Sequence, residues 1–347
     1  MTPDALLTAD TPAVSAAAAV RLASKHYGLE ASAKPLWAER DRNYRLDCAD
    51  GRRFVLKVAN DLERPEVLDF QARALEYIRG KDPGLPVPSV IPTLEGRAWV
   101  GAEGDDGRRH MVRLMSWLEG AVIDQAPPDA GLMGDIGVSL ARLGLALKGF
   151  DHPASGHRLL WDLKYAAELV NLTRHIPDQQ TRANVEQALD RFVTHVEPQL
   201  VQLRAQVIHA DLNRANILVN GRDGQRVSGI IDFGDMVHTP LINDIAVCAA
   251  YFVRWEGDPF TELVPLLDGY HRVLPLEASE ARIFCDLVMA RLSTSITLQC
   301  WRASLYPDNA DYLLMDGSPS RLRLVHLLRF PRESLVERTM RILELEK

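Results

Sequence analysis

The sequence predicts an α+β chain in two lobes, an N-lobe built on an antiparallel sheet followed by a mostly helical C-lobe. Three observations carry that expectation. Strand-like runs separated by polar turns occupy 34–58 and return at 97–117. Apolar residues recur at helical spacing through 132–203 and again through 277–343. Between those helical tracts lies one stretch of short strand signals, 207–235, reading VIHADLNRANILVNGRDGQRVSGIIDFGD, with polar side chains at the strand ends. The 347 residues are enough for two cores, and the lobes are expected at 1–118 and 119–347.

In the N-lobe, Thr11-Pro12 reads as the start of an Ala-rich helix running to Tyr27, with Gly28 as its stop. Strands are expected at 36–37, 44–46 and 54–58, with a turn at Asp50-Gly51. The segment between the first two, AERDRN, has no glycine. Arg40, Arg42 and Asn43 there either donate to an anion or form a solvated charged turn. Lys57 is flanked by Phe, Val, Leu and Val on its strand, an unusual setting unless its ammonium has a partner. A helix follows at 65–79, carrying Gln71. The Pro-rich link 84–90 leads to strands at 97–100 and 110–117. The end of the second, 115–119 with Met115, Trp117 and Leu118, is the expected hinge whose backbone would meet a purine.

The C-lobe is expected to hold helices at 132–149, 161–172 and 181–203, and beyond the central stretch a helix from Asn243 and two more at 277–302 and 320–343. Tyr251 and Trp255 bring aromatics near the central stretch. Arg291 is the candidate for a substrate carboxylate, because a guanidinium fork matches one.

The central stretch carries the chemistry. Phosphoryl transfer proceeds through a loose transition state, so catalysis is mostly positioning and charge neutralisation. It needs a carboxylate to hold the attacking hydroxyl, and oxygen ligands for a hard divalent ion. Asp211 is placed as the base, Asn216 and Asp232 as metal ligands, and His209 as the residue that holds the loop. His-Ala-Asp, an Asn five residues beyond that Asp, and Asp-Phe-Gly follow the order of the protein-kinase signature. On that signature Lys57 aligns nucleotide phosphates and pairs with a helical Glu. Asp235 either meets an acceptor ammonium or braces the metal loop.

The stretch resembles the aminoglycoside phosphotransferase and choline kinase superfamily, whose pattern is H-G-D-x-x-x-x-N followed by I-D-F or I-D-W. Ala210 stands where that pattern has Gly, and by position against the superfamily the resemblance puts the helical Glu partner of Lys57 at Gln71, with Glu66 or Asp69 as substitutes. SGIIDFGDM is similar to the hydroxylysine kinase branch, as are Gln71, the E-R-D-x-N segment, the R-L-x-x-S run at Arg291, and the Pro307, Asn309, Tyr312-Leu313-Leu314 segment. The resemblance implies a protein-kinase-like fold, ATP or GTP as donor, Mg²⁺, and a small amino alcohol or hydroxy amino acid as acceptor, with 5-hydroxylysine leading. Homoserine, ethanolamine, choline or an aminoglycoside are its alternatives. It also implies that an Asp near the start of the next helix ties down the loop. Asp244 is the candidate, with helix capping as its competing role.

A net charge of −7 disfavours a nucleic-acid partner. The four cysteines, Cys48, Cys248, Cys285 and Cys300, lack metal or disulfide spacing and fit a reducing cytoplasm. The apolar run 16–20 is too short to span a membrane. No A-P-E segment or long activation loop follows Asp232, which argues against protein substrates. A non-catalytic nucleotide-binding regulatory module is the reading from another class. The presence of Asp211, Asn216 and Asp232 together argues against it.

Overall fold

The structure is a computed structural model and describes residues 11–38, 40–123, 128–221, 226–306 and 317–345. Contacts divide the chain into two units, Met1–Glu119 with His152–Ser155, and Gly120–Asp151 with Gly156–Lys347.

The first unit is a sheet with helices. Helix α1 (Ala16–Tyr27) begins at Ser15 rather than Pro12. Ser15 caps it, its hydroxyl accepting from Ala18 N–H at 3.2 Å, and Gly28 closes it in the left-handed conformation at φ 65°. Strands β1 (Ala31–Leu36), β2 (Arg42–Cys48), β3 (Arg53–Val58), β4 (Val90–Ile91), β5 (Val100–Glu103) and β6 (Arg109–Ser116) run antiparallel in the order β1-β2-β3-β6-β4, with β5 also on β6. The short β4 was not visible in the sequence, because two residues give no alternation. Alternation elsewhere sends Tyr44, Leu46, Phe54, Leu56, Val112 and Leu114 into one core with Ala19, Ala23 and Tyr27 of α1. Helix α2 (Pro65–Lys81) starts on its proline and buries Val67, Phe70, Ala74 and Ile78.

The loop segment 152–155 belongs to this unit, which the sequence did not suggest. His152 Nε2 lies 3.2 Å from Asp69 Oδ2 and its ring packs on Phe70.

The second unit holds helices α3 (Ala130–Leu147), α4 (Gln179–His195), α5 (Ile242–Ala250), α6 (Leu263–Val273), α7 (Ala278–Leu305), α8 (Gly317–Leu328) and α9 (Arg332–Ile342). Segment Leu163–His175 is 3₁₀ rather than α, and the expected 181–203 helix stops at His195 before Pro198. The expected 320–343 helix is two helices, broken at Pro331. Helix α6 was not anticipated. It crosses α3 backbone to backbone, since a Cβ at Gly137 would sit 2.1 Å from the Leu266 carbonyl oxygen. Helix α7 has membrane-like length and apolarity, yet 94% of that stretch is buried inside the fold, as befits a core helix.

Strands β7 (Ala121–Val122), β8 (Ala205–Ile208), β9 (Ile217–Asn220), β10 (Arg226–Ile230) and β11 (Val237–Pro240) form two small sheets, β10-β9-β7 and β11-β8. Strands β7 and β11 are additions to the expected pattern. Antiparallel β9 and β10 pair Ile217 with Ile230, and Ile231 N–H continues the ladder to the Asn216 carbonyl at 2.9 Å. That register sets Asn216 and Asp232 side by side at one end of the hairpin.

Candidate functional site

Three tethers position the loop between β8 and β9. His209 is fully buried. Its Nδ1 accepts from Asp211 N–H at 3.2 Å, and its Nε2 donates to the Ile231 carbonyl at 3.0 Å. Those two bonds require the neutral Nε2–H tautomer, and burial lowers its pKa in the same direction. The ring also meets Phe233 edge-on at 4.8 Å, so one imidazole joins both polar loops. The second tether is Asp244 on α5, buried, which accepts from Ala210 N–H at 2.9 Å. Burial pushes its carboxyl up to about 7, against the pull of the Ala210 and His209 backbone donors. The third is the backbone itself. Ala210 takes φ 65°, which turns the chain so that Asp211 follows.

Asp211 is held on both oxygens. Arg291 Nη2 donates to Oδ1 at 2.6 Å. Asn213 Nδ2 and Asn216 Nδ2 donate to Oδ2 at 3.0 and 2.9 Å. Asn216 Nδ2 also reaches the Asp211 carbonyl at 2.8 Å, so its nitrogen is spent and its Oδ1 is the end left to accept. Burial raises the Asp211 carboxyl, Arg291 opposes that, and Asp235 and Asp232 add to it. Asp232 is exposed and takes the left-handed conformation at φ 60°, which aims the chain into the 3₁₀ turn Phe233–Asp235. Asp235 is buried in that turn.

These oxygens fit a hard divalent ion. One carboxylate and one amide oxygen lie on adjacent backbone positions of the hairpin. Among the described residues no cluster of three His, Cys, Asp or Glu groups could cage a metal. That suits an ion that draws its remaining ligands from phosphate and water.

Arg291 and Tyr251 come together with this loop. The Arg291 Nη2 also donates to the Tyr251 hydroxyl at 2.9 Å, and its guanidinium lies 4.8 Å from the Trp161 ring. Arg291 is 2% exposed, with Nε and Nη1 buried and unpartnered. Trp255 lies farther out, 42% exposed, on a cavity that Tyr251 also lines and Arg291 does not. The geometry thus sets Arg291 against Asp211 rather than in that cavity.

In the first unit, Lys57 on β3 stands in register with Asn43 on β2 and Arg113 on β6. Gln71 is buried on α2, and its Oε1 accepts from Arg113 Nη1 at 2.6 Å. Arg113 itself is buried and was overlooked. The signal that drew attention to Lys57, a cation inside an apolar strand, is equally present in HMVRLM. Arg40 lies in the turn before β2, and Arg42 Nε donates to the Pro12 carbonyl at 3.4 Å. Along the expected hinge Met115 pairs with both β3 and β4. Ser116 N–H goes to Ser89 O and Trp117 N–H to Arg53 O at 2.8 and 3.4 Å, which leaves Leu118 as the first residue beyond the sheet bonds. The Trp117 ring packs under Arg45 and Arg53. Glu39 and the segment at Pro307, Asn309 and Tyr312–Leu314 lie outside the described residues.

Residues 32–278 match the family described as "Phosphotransferase enzyme family". The chain belongs to this family. It is a small-molecule kinase with the kinase-like fold of the family, an antiparallel sheet followed by helices. The hydroxylysine kinase of Danio rerio is 30% identical over 316 residues, 87% of each chain. The homoserine kinase of Methylobacillus flagellatus is 29% identical over 67% of each. Among solved structures, a microcompartment-associated aminopropanol kinase superposes with TM-score 0.70 at 20% identity, covering 90% of this chain and 98% of its own.

Proposed function

We propose that this phosphotransferase moves the γ-phosphate of ATP or GTP to the hydroxyl of a small amine or amino acid, with 5-hydroxylysine as the first candidate. The observation that carries the reading is the set of bonds on Asp211. A carboxylate fixed by Arg291, Asn213 and Asn216 beside two oxygen ligands is arranged to orient a hydroxyl.

In this reading Asp211 accepts a hydrogen bond from the acceptor hydroxyl and takes its proton as the bond to phosphorus forms. Asn216 Oδ1 and Asp232 would hold Mg²⁺, which when bound supplies charge neutralisation on the phosphates. Lys57 aligns the phosphates, with Asn43 beside it and Arg40 and Arg42 at the turn. The backbone from Leu118 onward meets the purine. Neutral His209 takes no proton in the step and keeps the two loops in register. Asp235 is buried, which suits bracing the turn better than meeting an acceptor ammonium.

Hydroxylysine leads because hydroxylysine kinases of four organisms are 26–30% identical over 87% or more of this chain. Homoserine is the second acceptor, supported by homoserine kinases matched at 26–29% identity over 61–70% of the chain. The test is nucleoside-diphosphate release with Mg²⁺, ATP or GTP, and a panel of 5-hydroxylysine, homoserine, ethanolamine, choline and kanamycin. Release driven by 5-hydroxylysine is expected. Release driven only by another alcohol would replace it, and tight nucleotide binding with no release from any would favour a regulatory module.

A further inference from the structure

A cavity of about 230 Å³ opens within the second unit beside the loop that carries Asp211. It is smaller than typical drug-sized pockets and suits a small metabolite. Arg214 of that loop lines it, with Tyr251 and Trp255 beyond α5 and Arg323 from α8. Tyr251 connects the cavity to Asp211, because one nitrogen of Arg291 bonds both the Tyr251 hydroxyl and Asp211 Oδ1, at 2.9 and 2.6 Å.

The wall carries Arg214, Arg254 and Arg323 against Glu256 and Glu262. Arg254 is satisfied by both oxygens of Glu262, at 2.7 and 2.9 Å. Arg323 is only 8% exposed. Its Nε donates to the Val253 carbonyl at 3.0 Å, and its guanidinium lies 5.3 Å from the Trp255 ring. No carboxylate among the described residues pairs with it. Burial and then the cation of Arg214 lower its pKa to about 10, so it stays charged at neutral pH. Arg214 in turn packs over Phe252 at 5.3 Å. A buried guanidinium with no carboxylate bonded to it among the described residues is costly unless an anion completes the site. An anion that fits this cavity would complete the site, and the Tyr251–Arg291 bonds join its wall to Asp211.

We propose that Arg323, supported by Arg214, binds the carboxylate of the acceptor, so that the enzyme selects hydroxy amino acids over amino alcohols that lack a carboxylate. This rests on the kinase reading above and names a residue for its acceptor specificity. It also explains why Arg291 does not serve that purpose, since its one partnered nitrogen is already shared by Asp211 and Tyr251.

The experiment compares acids with their carboxamides, using 5-hydroxylysine and homoserine in both forms, with ethanolamine and 1-amino-2-propanol alongside. Wild type is expected to prefer acid over amide in kcat/KM by roughly tenfold to a hundredfold, the range of a charge-assisted hydrogen-bonded contact. In Arg323→Gln the ratio should fall toward unity, the loss should fall in the acceptor KM and spare the KM for ATP, and Arg323→Lys should restore part of it. Equal use of acid and amide by wild type overturns the proposal. So does a preference that survives Arg323→Gln, or a loss that falls on ATP, which would assign the anion to the nucleotide. Turnover of the amino alcohols but not of the acids keeps the kinase and sinks the carboxylate site. Should no alcohol be turned over, the kinase reading fails by itself. Calorimetric titration of the same acids and amides then still decides whether Arg323 binds a carboxylate, and equal or absent binding counts against it.

Discussion

Asp211 and Asp232 stand on neighbouring loops of one unit and differ in exposure and in backbone setting. Asp211 has donors on both oxygens, one of them a buried arginine, and keeps 19% of its side chain exposed. Asp232 is exposed on a left-handed backbone position. In the proposed reaction the difference follows from what each must do. A base has to be oriented before a mobile hydroxyl arrives, and every degree of freedom left in it slows the step. A ligand to a hard ion is oriented by the ion itself and needs only to be available.

The comparison breaks most visibly at Asp211. Asp211→Asn should lower turnover by roughly a hundredfold to ten-thousandfold, the usual worth of a positioned base, while nucleotide affinity stays near wild type. Diphosphate release and calorimetry measure the two quantities separately. Turnover within tenfold of wild type would remove Asp211 from the role. Asp232→Ala should do the reverse. Mg²⁺-dependent nucleotide binding should be lost in a titration, while the melting temperature should fall only modestly, since Ala is less at ease than Asp at φ 60°. Unchanged metal dependence would refute its role as ligand.

Arg291→Met sharpens the same contrast from the other partner. Removing one member of a buried ion pair costs roughly 3–5 kcal/mol, and the exposure Asp211 retains should bring this case nearer about 2 kcal/mol. Turnover should fall with it, since Oδ1 loses the Arg291 donor. A variant as stable and as active as wild type would mean that Asn213 and Asn216 orient the carboxylate alone.

Much of this architecture was legible in the sequence, and the losses have particular causes. That Asp211, Asn216 and Asp232 lie together was readable because their spacing falls in and just before one local hairpin, where register converts sequence distance directly into space. Gln71 and Arg113 are 42 residues apart, and their bond depends on how α2 lies on the sheet, which no periodicity reports. Arg323 was missed for the same reason. Its helix reads as ordinary surface charge, and only the folded chain sets it against Trp255 and Arg214. Arg291 was singled out as a fork suited to a substrate carboxylate, but the carboxylate it meets, Asp211, is a matter of tertiary packing. The breaks at Pro198 and Pro331 were visible as prolines and outweighed by helical periodicity on either side.

Asp244 offers a pH test of the loop tether. Its carboxyl rises from an ordinary 3.8 to about 7 on folding, so the folded state holds a proton that the unfolded state has released. Its contribution is complete below pH 4 and is lost as pH climbs through 7. Asn keeps an acceptor for Ala210 N–H and does not titrate. The melting temperature of Asp244→Asn relative to wild type should therefore rise between about pH 5.5 and about pH 8.5, on either side of the folded value. A constant difference would show that the backbone donors already keep Asp244 ionised.

Ala210 gives the smallest effect and the most closely balanced. A non-glycine residue at φ 65° carries strain of about 1–2 kcal/mol, which Ala210→Gly would relieve. Against that, glycine costs about 0.5–1 kcal/mol in chain entropy. The lost methyl, packed among Leu159, Ile208, Val237 and Leu241, is worth up to about 0.8 kcal/mol. The terms nearly cancel, so thermal unfolding should move little and turnover should hold. That near-cancellation accounts for alanine standing where glycine is usual. Ala210→Val removes the balance, because a branched side chain is poorly tolerated at positive φ, and it should destabilise clearly. If valine were accepted as readily as glycine, the left-handed turn would not be what places Asp211, and the tethers from His209 and Asp244 would have to do so alone.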